Sequence, residues 1–410
     1  MSNPFHLQFT LIQHTPLLHF QHDQEGATLR ATEIKPKLDK FLITKFIKEE
    51  IEYKNWLVGK GEHEALDFQI KFTSDEGWSH SPELPKLKWN GRNMEVDGNK
   101  VEQFPCFFGN MGEENKNQPK LLVYDPNDIT ATIVCMHFKL KEHIKSKIAE
   151  FFFSYNFGTR QSKGFGSFSV AKIEKENVPG FKLPYFFKVL PSATSSFNIR
   201  FQNLETPQQI KTELGIQWNL FKHIELFHKA IKSGYNDGSG RGYVKSAMFL
   251  FCDEKKIQWD KRTIKREYID SSITQSFPPQ AASGNHYLMR DILGLAVKSE
   301  WKKSPGSPTI VKESKEVDRF KSPIHYIPVR QKGTNIFNVY ISFSPIKIFN
   351  KSFEIKKNNT STLILETPRA FSLKEYFDFL KRIDIDEWIE PNQNADVKMI
   401  EKIFHSFQQI

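Results

Sequence analysis

The sequence predicts an α+β protein made of two tandem ferredoxin-like domains with insertions. Three observations carry that expectation. Alternating apolar strands bracket the first 175 residues, helical apolar spacings fall between them, and a mixed pattern restarts in the second half.

The elements follow in order. Leu7, Phe9 and Leu11 alternate with polar neighbours, an opening strand that ends near His14-Thr15-Pro16. Ile34, Leu38, Phe41, Leu42 and Lys45 then fall at helical spacing, with Pro36 tolerated only in the first turn. Leu66, Phe68, Ile70 and Phe72 alternate without a fault. Residues 74–120 are rich in Gly, Pro, Asn and charge and read as an insertion. Pattern resumes as a strand over 129–138, a helix over 141–155 through Ile144, Ile148, Phe151 and Phe152, and a strand through Phe168 and Val170. The order is β-α-β-β-α-β, the ferredoxin-like plan. Its helices cover one sheet face and leave the other open, the surface that RNA-recognition domains use.

In the second half, 186–201 reads as a strand or hairpin. A long helix runs from Ile210 through Trp218 and Phe227 to Ile231, stopped by Gly234. Residues 235–242 form a glycine-rich loop and 243–251 an apolar restart. The segment 302–316 is polar and reads as mobile, and 324–329 with 336–343 reads as a hairpin. Ser372 and Glu375 open a helix running towards Ile383 with a capping-box pattern. The expected division is an N-terminal domain over 1–180 with the 74–120 insertion, a second domain over 181–370 and a helical segment over 371–410.

Charge points to the partner class. The 58 Lys and Arg exceed 48 Asp and Glu, a net charge of +10, which favours polyanions such as nucleic acid. Phe is unusually abundant at 37 residues; most must fill cores, and a few are available to stack on bases. Cys106, Cys135 and Cys252 are scattered, which argues against a disulfide framework or structural zinc and for a reducing compartment. The N-terminus lacks signal-peptide character, and no apolar run reaches the ~20 residues of a membrane helix. The expectation is a soluble, cytoplasmic protein with no membrane partner.

The strongest local signal is Phe157-Gly158-Thr159-Arg160-Gln161-Ser162-Lys163-Gly164-Phe165-Gly166-Ser167. Gly158, Gly164 and Gly166 permit positive φ and close approach, exposed N–H groups form an anion nest, and Arg160 and Lys163 add cations. The alternative is a connection that merely turns a helix back into a strand. No Lys-Ser/Thr pair follows Gly164, so it is not a Walker A loop.

This G-x-R-x-x-x-G-F-G-S loop between a helix and a strand resembles that of the RAMP (repeat-associated mysterious protein) superfamily of CRISPR systems. Thr15-Pro16-Leu17 is similar to the family's "TPL" ending of the first strand. Gly26-Ala27-Thr28-Leu29-Arg30 is similar to its "SSLRG" segment, with Ala31, Thr32 and Glu33 replacing usual small residues. Arg319-Phe320-Lys321-Ser322-Pro323-Ile324 resembles an "R-x-x-SP-L" segment of a second RAMP domain. Two fused domains are most similar to the first RAMP subunit of type III-B (Cmr-type) complexes.

The resemblance implies a non-catalytic RNA-binding subunit in antiviral defence. Its partners would be CRISPR guide RNA and target RNA, other RAMP subunits and a large polymerase-like subunit. Gly158, Arg160, Lys163, Gly164 and Gly166 would meet RNA backbone. Arg30, Lys35 and Lys37 at the first helix would do so too, or else pair with nearby acids. Arg241 and Lys245, in the loop 234–245 with Tyr235 and Tyr243, form a second basic candidate, and Arg319 and Lys321 a third.

Two rival readings stand beside it. His14, His19, His22 and Asp23 cluster in one segment, so a guide-RNA-processing endoribonuclease would use His19 or His22 as its acid–base group. The same histidines lack a fourth ligand for a structural metal, and no cofactor is expected. The other rival is a scaffold that holds protein subunits.

Overall fold

The computed structural model describes residues 4–18, 29–47, 53–61, 64–73, 88–89, 94–96, 99–100, 122–123, 129–191, 208–237, 242–268, 286–295, 297–300, 309–357 and 360–408. The chain is α+β and divides into two compact units. The first comprises Met1–Pro184, Val189–Lys222 and Tyr326–Tyr340; the second comprises Tyr185–Lys188, His223–His325 and Ile341–Ile410.

In the first unit the elements run β1 (His6–Gln13), α1 (Ala31–Leu42), β2 (Gln69–Thr73), β3 (Ile129–Val134), α2 (Phe138–Ser154) and β4 (Phe168–Ile173). They form an antiparallel sheet in the order β4-β1-β3-β2, extended beyond β4 by Glu176–Asn177. Leu7 lies opposite Ile133 and Phe9 opposite Ala131; on the other side of β3, Ile70 and Phe72 meet the same two residues. A slip of one residue would turn this whole apolar set to the opposite face.

Ile34, Leu38, Phe41 and Leu42 of α1 join Leu140, Ile144, Ile148, Phe151 and Phe152 of α2 in one core with these strands. Phe9 meets Phe152 at 5.8 Å and Phe41 meets Phe151 at 5.5 Å. Each such buried side chain contributes about 1.5–3 kcal/mol. The outward positions of β1, β2 and β3 are His6, Gln8, Thr10, Ile12, Gln69, Lys71, Thr73, Thr130, Thr132 and Val134, mostly polar and with no Phe, Tyr or Trp. That face offers hydrogen bonds rather than base-stacking platforms.

Several boundaries differ from the sequence expectation. The strand expected over 129–138 stops at Val134, and the helix opens at Phe138, whose ring is exposed rather than buried in a strand. Leu66 and Phe68 are buried but precede β2. Pro36 sits in the second turn of α1, not the first. Lacking an N–H, it leaves the Thr32 carbonyl without its helical donor. Of the expected insertion over 74–120, Lys88–Trp89, Met94–Val96 and Asn99–Lys100 form a small antiparallel sheet, and the remainder lies outside the described residues.

The strand expected within 186–201 is β5 (Phe186–Val189). The long helix is α3 (Gln208–Lys232). Gly234 ends it at φ +80°, donating to the Lys229 carbonyl at 2.8 Å. Then follow α4 (Ala247–Glu254), α5 (Asp260–Tyr268), β6 (Thr309–Glu313), β7 (Ile324–Arg330), β8 (Phe337–Phe343), β9 (Ser352–Lys357), β10 (Thr360–Glu366), α6 (Leu373–Arg382), α7 (Ile385–Trp388) and α8 (Ala395–Gln408). Strand β8 lies between β5 and β7, and the Gln331 N–H donates to the Ile336 carbonyl to close the expected hairpin.

The second unit carries a six-stranded sheet in the order Gln258–Trp259, His286–Tyr287, β10, β9, β6, Lys298–Glu300. Its first two pairings are parallel. Ile310, Phe353, Ile355 and Leu365 of this sheet pack with Ile264 and Tyr268 of α5. Strand β6 lies within the segment expected to be polar and mobile. Its polarity is a buried ion pair: Lys312 bonds Asp291 with both side chains at 5% exposure or less. Ser372 caps α6 by accepting from the Glu375 N–H at 3.2 Å, as its spacing predicts.

Candidate nucleic-acid interface

The glycine-rich loop between α2 and β4 is held by the segment that follows β1. Thr15 Oγ1 donates to the Gly164 carbonyl at 2.7 Å and accepts from the Ser167 N–H at 2.9 Å. The Gly166 N–H donates to the Pro16 carbonyl, and the His14 N–H to the Ser167 carbonyl, both at 2.9 Å. Two motifs about 150 positions apart in sequence therefore make one structure, and all of these bonds are buried or nearly so.

The loop conformation needs its glycines. Gly158, Gly164 and Gly166 have φ of +77°, +92° and +67°. A Cβ on Gly166 would stand 2.1 Å from the Phe157 carbonyl oxygen, so no side chain fits. Arg160 is left-handed as well, at φ +56°, and opens a 3₁₀ turn over Gln161–Lys163. Phe165 is no base-stacking ring. It is 1% exposed and stacks on Phe221 at 3.8 Å and 6°, which anchors the loop from below. Asn156 Nδ2 adds bonds to the Gln161 and Tyr326 carbonyls, both at 2.7 Å.

Around the loop, buried hydrogen-bonding capacity is left over. Asn156 Oδ1, Thr159 Oγ1, Ser167 Oγ and Gln217 Oε1 have no hydrogen-bond partner, four of the six such atoms among the described residues. Native proteins rarely leave such atoms unbonded, so this is a place for water or a polar ligand.

The first turn of α1 reaches the same loop through Glu33. Its Oε1 accepts from the Gly158 N–H at 2.9 Å, from Lys37 Nζ at 2.7 Å and from Gln161 Nε2 at 3.3 Å. Lys37 also lies 5.0 Å from the centre of the Phe157 ring. Lys35 faces elsewhere: it bonds both Asp39 oxygens at 2.8 and 2.6 Å and the Leu66 carbonyl at 2.7 Å. Burial raises the Asp39 carboxyl above its usual range, against the Lys35 hydrogen bond. Arg30 is the N-cap residue of α1, and its carbonyl accepts from the Glu33 and Ile34 N–H groups, each at 3.0 Å.

The other candidates belong to the second unit. Tyr235–Asn236 pairs with Tyr243–Val244; Tyr243 within the pair and Lys245 after it are exposed, and Val244 between them is buried. Tyr235 donates to Asp396 Oδ2 at 2.9 Å, and Asn394 Nδ2 donates to Asp237 Oδ2 at 2.9 Å. Arg241 lies outside the described residues. Arg319 and Lys321 are exposed on a turn whose Phe320 carbonyl accepts from the Leu295 N–H at 3.0 Å.

The histidine segment divides. His14 is 4% exposed. Its Nδ1 accepts the Arg330 N–H at 3.2 Å, so Nε2 carries the proton and donates to Ser169 Oγ at 2.7 Å. Burial, helped by the charge of Arg330, lowers its pKa to about 4. The neutral ring is part of the scaffold that sets the loop. His19, His22 and Asp23 lie outside the described residues. Among the described residues, Asp386, Glu401 and His405 bring metal-ligating atoms within 4.8 Å of one another, on an exposed surface where such clusters are common without an ion. No helix among the described residues is long and apolar enough to cross a membrane.

Sequence reasoning named the glycines and cations of the loop but missed Asn156, Gln161, Phe221 and the part played by Glu33. Glu33 stood out only as a departure from the family's small residues. Nothing local marks Phe221, which meets Phe165 across 56 positions.

The family comparison covers nearly the whole chain. Residues 4–235 match the Cmr1 N-terminal domain and residues 243–404 the Cmr1 C-terminal domain. No curated protein matches. Among solved structures, a chain of the type III-B Cmr-beta complex bound to cognate target RNA matches at 15% identity. That match covers 41% of this chain and 59% of that one, with a TM-score of 0.26. A further chain, from the complex bound to cognate target RNA and AMPPnP in the presence of ssDNA, matches at 11% identity over 98% of both, with a TM-score of 0.31. Overlays at those scores carry no argument, and the assignment stands on the two domain models. The chain belongs to the Cmr1 family.

Proposed function

We propose that this protein grips RNA backbone as a non-catalytic subunit of a type III-B CRISPR effector complex in the cytoplasm. Its partners in this reading are guide RNA, target RNA, the other RAMP subunits and the large polymerase-like subunit. Family membership supports the assembly. The strand order of the first unit supports reading 1–180 as a ferredoxin-like RAMP domain. Residues 181–370 are read as a second RAMP-like domain and 371–410 as a helical appendage.

One observation carries the RNA reading. A loop with three positive-φ glycines is locked from behind by Thr15 and by the Phe165–Phe221 stack, and it carries Arg160 and Lys163 within four positions. Fixed backbone with flanking cations suits phosphate, which has no sequence to read. The polar outer face of the sheet supports contact by backbone rather than by stacked bases. Lys245, Arg319 and Lys321 serve as further cations in the same reading, with Arg241.

The test is affinity for single-stranded RNA as a function of salt. Arg160→Glu with Lys163→Glu should weaken binding at least tenfold for every sequence and flatten the salt slope by about 0.7 per lost phosphate contact. Unchanged affinity would favour the scaffold. The endoribonuclease reading rests on His19 and His22, because His14 is buried and neutral. Cleavage products that vanish on His19→Ala or His22→Ala would move that reading to first place.

A further inference from the structure

We infer that Glu33 is an internal stand-in for RNA phosphate, occupying an anion subsite made by the Gly158 N–H, Lys37 Nζ and Gln161 Nε2, and that bound RNA displaces it. This rests on the reading of the glycine-rich loop as an RNA-backbone site and assigns one phosphate position within it.

The geometry is that of a bound anion. One carboxylate oxygen receives three donors at 2.7, 2.9 and 3.3 Å, from an ammonium, a backbone amide and a side-chain amide. Those donor types serve a phosphate oxygen equally well. Gly158 holds φ +77° in the turn that points its N–H at Glu33. Gln161 Nε2 also donates to the Gly158 carbonyl at 2.6 Å, and the Gln161 carbonyl accepts from Asn156. The turn therefore keeps its shape when the carboxylate leaves.

The occupant is also reachable. Glu33 is 23% exposed and Lys37 29%, unlike the nearly sealed Asp39 that holds Lys35. Glu33 projects from the first turn of α1, and rotation about its side-chain bonds carries the carboxylate into solvent without moving the helix. A polyanion entering beside Arg160 and Lys163 meets a cradle whose donors are already aligned, and it competes with a single tethered charge. Apparent RNA affinity is then reduced by the fraction of molecules in which Glu33 holds the site.

The experiment compares wild type, Glu33→Gln and Glu33→Ala in the full chain by RNA binding across a salt series. Glu150→Gln on α2, whose carboxylate pairs with Lys147, controls for the general loss of one negative charge. Circular dichroism and melting curves confirm folding. Both Glu33 variants should tighten RNA about 3- to 10-fold beyond the control, alanine more than glutamine. Alanine should steepen the salt slope by about 0.7. The gain should vanish when Arg160→Glu and Lys163→Glu are added.

Glu33 variants that match the control or bind worse, while the loop charge reversal still loses RNA, overturn the stand-in and leave the RNA reading intact. If charge reversal leaves RNA binding unchanged, the RNA reading fails. Inorganic phosphate then decides the subsite alone. A melting shift in Glu33→Ala and not in wild type supports it, and no shift in either overturns it.

Discussion

The glycine-rich loop of the first unit and the Tyr235–Val244 turn of the other unit share one kind of sequence: glycines, aromatics and cations within about a dozen residues. Both are held by residues about 150 positions away, the first through its buried backbone groups and the second through side chains nearer the surface. The first is fixed by contacts from far away in the chain, through Thr15, Pro16 and Phe221, and its cations ride on a rigid frame. The turn is tied at its base to the start of α8, through Tyr235 with Asp396 and Asp237 with Asn394. Its exposed Tyr243 lies opposite Asn236, between the two tied residues, and the exposed Lys245 follows. Glycine content alone does not tell how firmly a loop is held; the groups that bond its backbone do. That contrast is why the first loop carries the functional reading.

The largest test of the comparison is one methyl group placed in each loop. Gly166→Ala drives a Cβ to 2.1 Å from the Phe157 carbonyl at positive φ, where nothing yields. It should cost more than about 3 kcal/mol or abolish folding. Gly242→Ala meets Asn394 Nδ2 at 2.6 Å, a side chain that yields only by loosening its bond to Asp237 and its cap on the Asp396 N–H, and should cost about 1–2 kcal/mol. Urea unfolding of both variants measures the gap, and equal costs would remove the distinction.

Next comes Thr15→Val, which keeps the shape but strands the Gly164 carbonyl and the Ser167 N–H. It should destabilise by about 2–4 kcal/mol in the same assay. A comparable effect belongs to pH. The unfolded chain protonates His14 near 6.5, whereas the folded site resists until about 4. His14's contribution to stability should therefore fall as pH drops from 6.5 to 4, by about 3 kcal/mol at most, and His325, also held below its usual range by burial, adds in the same direction. Unfolding curves from pH 7.5 to 4 check this, and His14→Gln should flatten that part of the profile. Smallest is Tyr235→Phe in the turn of the second unit, at about 1 kcal/mol for the lost bond to Asp396, read from the melting temperature.

Much of the fold was legible because burial repeats at short range. Leu7, Phe9 and Leu11, or Ile144, Ile148, Phe151 and Phe152, announce strand and helix by spacing alone, and Gly234 and Ser372 mark helix ends by chemistry internal to one turn. Errors arose where a residue's environment lies far along the chain. Phe138 reads as strand core but faces solvent, and Lys312 reads as loop but is neutralised in the interior by Asp291. The site followed the same rule. Gly158, Arg160, Lys163, Gly164 and Gly166 could be named from a local motif. Their clamp by Thr15 and the Glu33 carboxylate on Gly158 are contacts across more than 120 positions, which no local pattern encodes.

The most direct measurement of the central claim is photo-cross-linking of thiouridine-substituted RNA to the wild-type chain, followed by peptide mapping. RNA adducts in the peptides spanning 158–167, lost on Arg160→Glu with Lys163→Glu, are the predicted result. Adducts confined to other parts of a folded chain, with 158–167 unmodified, would contradict the placement of RNA at this loop.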